Sequence, residues 1–365
     1  MITSRFLQRQ QRGFSLVEMM IALGLGLTLI ASAVTVFSSS RQSVDLNSAL
    51  TDIQDNARFA MDTITRDLRM AGFQGCVDIN TSAAKILADA APTTDYFSTA
   101  ASSSLVLDSG LWQPAAPIGF TPPTVVGKPR AGTHTLSVQF GSAQTFTFQP
   151  LPSVTADIVL DSENSGLVAG DLAVISNCQV ADIFTITSAE SATLQHSANG
   201  NRDQRLSAPY GLAGENNQPR VMRFEANIYY VGETNRKNSA GDDIFSLYKQ
   251  TLPYSADRPP IEMVEGVANM RIRLGFRNPD ENSTSMTFVS PENSAAQPGR
   301  IEVVQIGLLM QSHDAILDER DQSTYYLAGS ALNAALSPVD ANLSYSADKR
   351  LKLAFNSTVK IRNRR

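Results

Sequence analysis

The chain has 365 residues, with 30 Lys and Arg against 35 Asp and Glu, a formal net charge of −5. Its 42% hydrophobic and 18% charged residues exclude a chain disordered by composition, and the acidic balance argues against a nucleic-acid surface. Two cysteines, Cys76 and Cys178, stand 102 positions apart, which excludes a CxxC redox pair and a four-cysteine zinc site, and no HExxH, GxxxxGK[ST] or GxSxG motif occurs.

Residues 1–13 hold Arg5, Arg9 and Arg12 and no acid. From Phe14 to Phe37 the chain is apolar, with Glu18 as its only charge. As a helix this stretch covers about 36 Å, enough for a bilayer core of about 30 Å. Arginines before the span and none within it place the N-terminus in the cytoplasm and the rest outside. Three readings compete. A signal peptide cut at Ala31-Ser32-Ala33 conflicts with the length of the run and with an acid inside it. A plain anchor tolerates Glu18 if the carboxylate snorkels about 6 Å to the interface. A leader cut before the apolar run requires a short basic stretch, a glycine, an apolar residue and a glutamate five residues past the cut. Gly13, Phe14 and Glu18 meet each requirement.

The stretch GFSLVEMMIAL resembles the prepilin signature shared by type IV pilins and type II secretion pseudopilins. The resemblance implies that a membrane peptidase cuts between Gly13 and Phe14 and methylates the Phe14 amine. Without the 13-residue leader the chain keeps 352 of its 365 residues, and the loss of three arginines takes the net charge from −5 to −8. A carboxylate in a bilayer is costly unless paired, commonly by several kcal/mol. In a filament, Glu18 of one subunit can pair with the Phe14 amine of its neighbour, so the penalty drives association and sets the register. Gly24 and Gly26 read equally as sites of close helix packing and as a soft point of the helix.

Beyond Phe37, the positions Leu46, Leu50, Ile53, Ala57, Ala60, Ile64, Leu68 and Ala71 form one stripe at helical period. No proline occurs before residue 92, Arg41–Asp45 and Asp62–Arg66 are i,i+4 pairs, and Gly72 suits a helix stop. One helix is expected from Phe14 to Ala71, apolar all round in its first half and amphipathic in its second. An anchor followed by a separate coiled coil is disfavoured, because the stripe is under four heptads.

Past Gly72 the period changes to two. Residues 135–140 and 145–149 read as a hairpin around GSAQ, and 171–176 and 182–187 as a second pair. Residues 223–231 and 244–250 flank a turn at Ala240-Gly241-Asp242. Segments 267–276, 285–289, 303–311 and 351–363 complete the expected strands, and their alternation suits antiparallel pairing. Residues 77–130 read as a long loop or insertion, and 195–220 and 290–300 as loops.

Segments 56–76, 170–187, 263–276, 303–312 and 355–364 resemble the PilW family of minor pilins. The resemblance implies an α+β, pilin-like fold: a leader over 1–13, a membrane or filament-core half-helix over 14–37, an amphipathic half over 38–71, and a β-rich periplasmic head over 72–365. It implies a structural role in type IV pilus assembly and no enzyme activity. The protein would prime filament growth with other minor pilins, sit in the inner membrane beforehand, and finish in the pilus at its tip. The expected partners are other minor pilins, the major pilin and the prepilin peptidase, with no nucleic acid. The runner-up is a J-type minor pseudopilin of type II secretion, and a third reading is a membrane-anchored periplasmic binding domain.

Both cysteines fall in the resembling segments. In an exported head they favour a Cys76–Cys178 disulfide over two buried thiols. No cofactor or metal site is expected. DSENSG at 161–166 opens like a calcium loop, but Leu172 stands where the bidentate glutamate belongs. The acids Asp314, Asp318, Glu319 and Asp321, the cations Lys360, Arg362, Arg364 and Arg365, and the three histidines read as surface or structural residues.

Overall fold

A computed structural model describes residues 14–77, 84–89, 107–111, 127–130, 132–211, 218–252, 259–277, 285–291, 301–335 and 344–362, with 107–111 as backbone only. The chain divides into two compact units, Met1–Leu50 and Thr51–Arg365. One helix, α1 (Leu16–Met70), contributes to both. Glu18 lies in its first turn and Arg69 in its last, each complementing the helix dipole. The helix stops where Gly72 takes φ 74°, a conformation that costs glycine little. There the Gly72 N–H leaves the helix pattern and donates to Gln139 O at 2.9 Å.

The strands of the second unit begin with β1 (Lys85–Ile86), β2 (Leu107–Leu111), β3 (Lys128–Pro129), β4 (His134–Phe146), β5 (Ile158–Val159) and β6 (Leu172–Ser176). They continue with β7 (Ala181–Thr185), β8 (Ser188–Glu190), β9 (Thr193–Gln195), β10 (Arg220–Lys237), β11 (Asp243–Leu252) and β12 (Ile261–Glu265). The last are β13 (Val267–Arg277), β14 (Met286–Val289), β15 (Ile301–Ala315), β16 (Tyr325–Leu327), β17 (Ser330–Ala335), β18 (Ser344–Ser346) and β19 (Arg350–Lys360). Among the described residues they build a nine-stranded sheet centred on β10, a four-stranded sheet β14-β13-β15-β19, and two three-stranded sheets, β16-β17-β18 and β5-β9-β8. Nearly all pairings are antiparallel, and the fold is α+β with a pilin-like plan of long apolar helix and β head.

Within this unit the helix stripe is the spine of the core. Ile53, Ala57, Ala60, Ile64, Leu68 and Ala71 are buried in one cluster with Leu136, Val138, Leu172, Val174 and Tyr229. Ala57 and Ala60 are fully buried in this cluster. Strand β6 is buried on both faces, because Ala173 and Ile175 face a second cluster with Leu151, Phe184, Ile186 and Tyr210. That explains its unbroken apolar run.

The pairs β6–β7 and β10–β11 form as the alternation predicts, the latter around Gly241 at φ 86°. The hairpin expected around GSAQ does not form. Residues 134–146 are one strand, β4, paired along β10. Met222 pairs with Thr145 while Phe224 pairs with Gly141, so two extra residues of β4 are absorbed as a bulge. Gly141 is needed there, since a Cβ would meet Met222 Sδ at 2.5 Å. Residues 77–130 hold the short strands β1, β2 and β3, where a loop was expected; 78–83, 90–106 and 112–126 lie outside the described residues. Strands β5, β8, β9, β16 and β18 are two or three residues long, too short to show a period, and β12 (IEMVE) and β17 (SALNAA) show neither clean alternation nor an unbroken apolar run.

Candidate functional site

Among the described residues, the first unit presents an apolar surface from Phe14 to Phe37 that no other part of the unit covers. Its large apolar side chains, from Phe14 (81% exposed) through Leu16, Met20, Leu29 and Phe37, are exposed. The helix is long and apolar enough to cross a membrane, with a mean hydropathy of 2.2 over its most apolar window. Three hydroxyls of this stretch find acceptors within the helix. Thr28 Oγ1 donates to Leu25 O, Ser32 Oγ to Thr28 O and Thr35 Oγ1 to Ala31 O, each at 2.8 Å. With those donors satisfied internally, the segment suits an apolar surrounding. A Cβ on Gly24 or Gly26 would meet nothing within 4 Å, so neither glycine is required by contacts within the chain.

Glu18 is exposed on the first turn, one helical turn from Phe14. It is the one charge between Phe14 and Phe37. Gly13 lies outside the described residues, as do Arg364 and Arg365.

The second unit shows how the helix end is tied to the sheet. Beyond the apolar stripe, Asp67 is buried on the helix face turned to β10 and β11. It accepts hydrogen bonds from Tyr229 Oη at 2.5 Å and Asn227 Nδ2 at 2.9 Å, and Lys249 Nζ lies 3.6 Å away. Burial, and then the Asp67 charge, push the Tyr229 phenol well above its ordinary pKa, so it remains a donor. Sequence reasoning missed this clamp. Asp67 departs from the apolar stripe next to Leu68, and an acid on an amphipathic helix reads as solvated. Asp67→Ala is expected to lower head stability by about 3 kcal/mol, because it leaves the Tyr229 hydroxyl buried without its acceptor and takes from the Asn227 amide the nearer of its two, the other being Glu225. Denaturant unfolding followed by tyrosine fluorescence measures this, and an unchanged midpoint would show the contact to be idle.

Past the helix, Gly141 N–H donates to Phe73 O, Ala84 N–H donates to Gln74 Oε1, and Cys76 is disulfide-bonded to Cys178, with Cα atoms 4.5 Å apart. Cys178 sits in the β6–β7 turn at φ 68°, where Asn177 Oδ1 accepts from the N–H groups of Gln179 and Val180. The turn holds the sulfur toward the helix end. Gly75 makes room, since a Cβ there would stand 2.8 Å from Ser176 Oγ.

Several of the remaining candidates have structural partners. Asp321 accepts from Ser323 N–H and Tyr325 Oη, and Asp314 from Ser239 Oγ. His134 Nδ1 accepts the Ile272 N–H, His196 Nε2 lies 2.9 Å from Ala156 O, and His313 lies beside Glu265. Asp161 and Glu163 are exposed in a loop. Among the described residues no group of three or more His, Cys, Asp or Glu is placed to hold a metal ion.

Comparison with known proteins bears on both ends of the chain. Residues 228–363 match the family model described as type IV pilus-assembly protein W, and residues 8–34 match the prokaryotic N-terminal methylation motif. The chain is also similar to the pilin-like protein PilA3 of Thermus thermophilus, 36% identical over 62 residues, 17% of this chain and 27% of that protein. The chain therefore spans about a quarter of the length of the curated relative it matches. The resemblances drawn from GFSLVEMMIAL and from 263–276, 303–312 and most of 355–364 fall in matched regions. Those at 56–76 and 170–187 lie outside them.

Proposed function

We propose that this protein is a minor pilin that takes part in type IV pilus assembly. It is inserted in the inner membrane with its head in the periplasm, and is processed by a prepilin peptidase between Gly13 and Phe14. It then joins other minor pilins in a complex that primes filament growth and is carried to the pilus tip. The observation that carries this reading is the apolar helical stretch 14–37, exposed among the described residues, with three internally satisfied hydroxyls and Glu18 as its one acid. Such a surface is stable only in lipid or among other apolar helices. In either surrounding the Glu18 carboxylate requires a cation, and a neighbour's Phe14 amine supplies it. The role is one of association and not of catalysis.

The leader motif is common to pilins and type II secretion pseudopilins, so it does not separate them. The match of 228–363 to the pilus-assembly family supports the pilus.

Glu18→Ala tests the pairing. It is expected to leave cleavage intact and to reduce recovery of the protein with other pilins from detergent-solubilised membranes by about tenfold or more, the scale of one lost buried ion pair. Unchanged recovery with normal piliation would show that Glu18 only snorkels.

A further inference from the structure

Strand β19 is an outer edge of the four-stranded sheet. Its pairing with β15 fixes which backbone groups face outward. Ile361 N–H donates to Glu302 O, and Leu351 N–H donates to Ser312 Oγ, both acceptors lying on β15. Odd-numbered residues therefore turn their backbone groups inward, and the register is regular from Lys352 to Lys360. Alternation turns the N–H and C=O of Ala354, Asn356, Thr358 and Lys360 outward. Among the described residues, no hydrogen bond reaches these groups. Among the described residues the edge closes at its start alone, where Tyr325 Oη donates to Lys352 O. About 20 Å of pairing edge is left open.

Native sheets usually blunt such an edge with proline, a bulge or a covering element. From Leu353 to Lys360 there is no proline and no bulge. Asn356 is held by bonds to Tyr326 O and Ala328 N–H, which tie it to the covered face and leave the edge clear. Tyr326 beside it is 63% exposed, an apolar surface next to the open edge.

Charge selects the occupant. From Lys349 to the C-terminus the sequence has seven cations and no acid, in a chain of net charge −5. Arg350 and Lys352 are engaged by Asp348, and nearby Glu302 is engaged by Arg277. Lys360 and Arg362 are exposed. A second copy would bring its own cations, Lys360 beside Lys360 in parallel pairing, or against the Arg350–Lys352 end in antiparallel pairing. Like charges on paired strands destabilise them.

We propose that the outward edge of β19, residues 354–360, is a strand-addition site for an acidic extended segment of a different subunit. Main-chain bonds would supply affinity, and Lys360 and Arg362 the choice of partner. The identification of the occupant as a subunit rests on the pilin reading above, and the edge itself does not. Cleavage after Gly13 is read by mass alone, so the two fail separately.

Two measurements on the full chain in detergent micelles test it. In hydrogen exchange, the amides of Ala354, Asn356, Thr358 and Lys360 should exchange at least 100-fold faster than those of Phe355, Ser357 and Val359. In fluorescence anisotropy, an eight-residue peptide alternating glutamate with valine or threonine should bind saturably and protect those four amides. Its lysine counterpart should bind at least tenfold more weakly. Thr358→Pro removes an outward N–H that the β15 ladder does not use, so the fold should persist and peptide binding be lost. Lys360→Glu should reduce the preference for the acidic peptide. Outward amides already as protected as their neighbours, no saturable binding, equal binding of both peptides, or undiminished binding to Thr358→Pro would each overturn the proposal.

Discussion

Gly13→Glu is expected to leave the chain uncut when it is produced together with a prepilin peptidase, whereas the unsubstituted chain loses residues 1–13. The prepilin resemblance implies a peptidase pocket that accepts a residue without a side chain at this position. A carboxylate there brings bulk and a charge that must be desolvated beside the membrane. The effect is close to all or none. The cut also decides what the helix can do afterwards. It would remove Arg5, Arg9 and Arg12 and create an amine on Phe14, the cation that the proposed pairing gives to Glu18. Intact mass and N-terminal sequencing of the membrane fraction read the result. A mature chain beginning at Val34, as a conventional signal peptide would leave, would overturn the leader reading, as would normal cleavage of Gly13→Glu.

Loss of the Cys76–Cys178 bond is expected to destabilise the head by about 4 kcal/mol, the scale for closing a loop of roughly 100 residues. In a unit of this size that corresponds to a fall of roughly 8 °C in the thermal midpoint. The bond joins the segment just past the helix stop to the turn between β6 and β7. Leu172 and Val174 on β6 share a core with Ile64 and Leu68, so apolar packing survives the loss and the head should still fold. Cys76→Ser, Cys178→Ser and the double variant should shift the midpoint equally, because each removes the same bond. Tryptic peptides from the oxidised protein should show the two cysteine peptides joined. Alkylation of both thiols without prior reduction would mean that the pair contributes packing alone.

Much of this architecture is written in local periodicity. The helix was legible because Ile53, Ala57, Ala60, Ile64 and Leu68 repeat at 3.6 and no proline interrupts them. Strands β6, β7, β10, β11, β13, β15 and β19 were legible because each is long enough to show alternation or an unbroken apolar run. The leader motif was legible because the processing signal is a linear pattern and requires no folding. What depends on distant partners was not. Nothing near Asp67 in the sequence announces Asn227, Tyr229 and Lys249, which lie more than 150 residues away and meet it only when the helix packs on β10 and β11. The polar stretch GSAQ carries the same local turn signal whether it closes a hairpin or forms a bulge, and the long partner β10 decided for the bulge. The open edge of β19 is likewise a property of sheet order. A strand's sequence fixes which side chains share a face, but its hydrogen-bonding neighbours are set by the whole chain, and here tertiary structure pairs 354–360 with β15 on one side and leaves their outward edge open among the described residues.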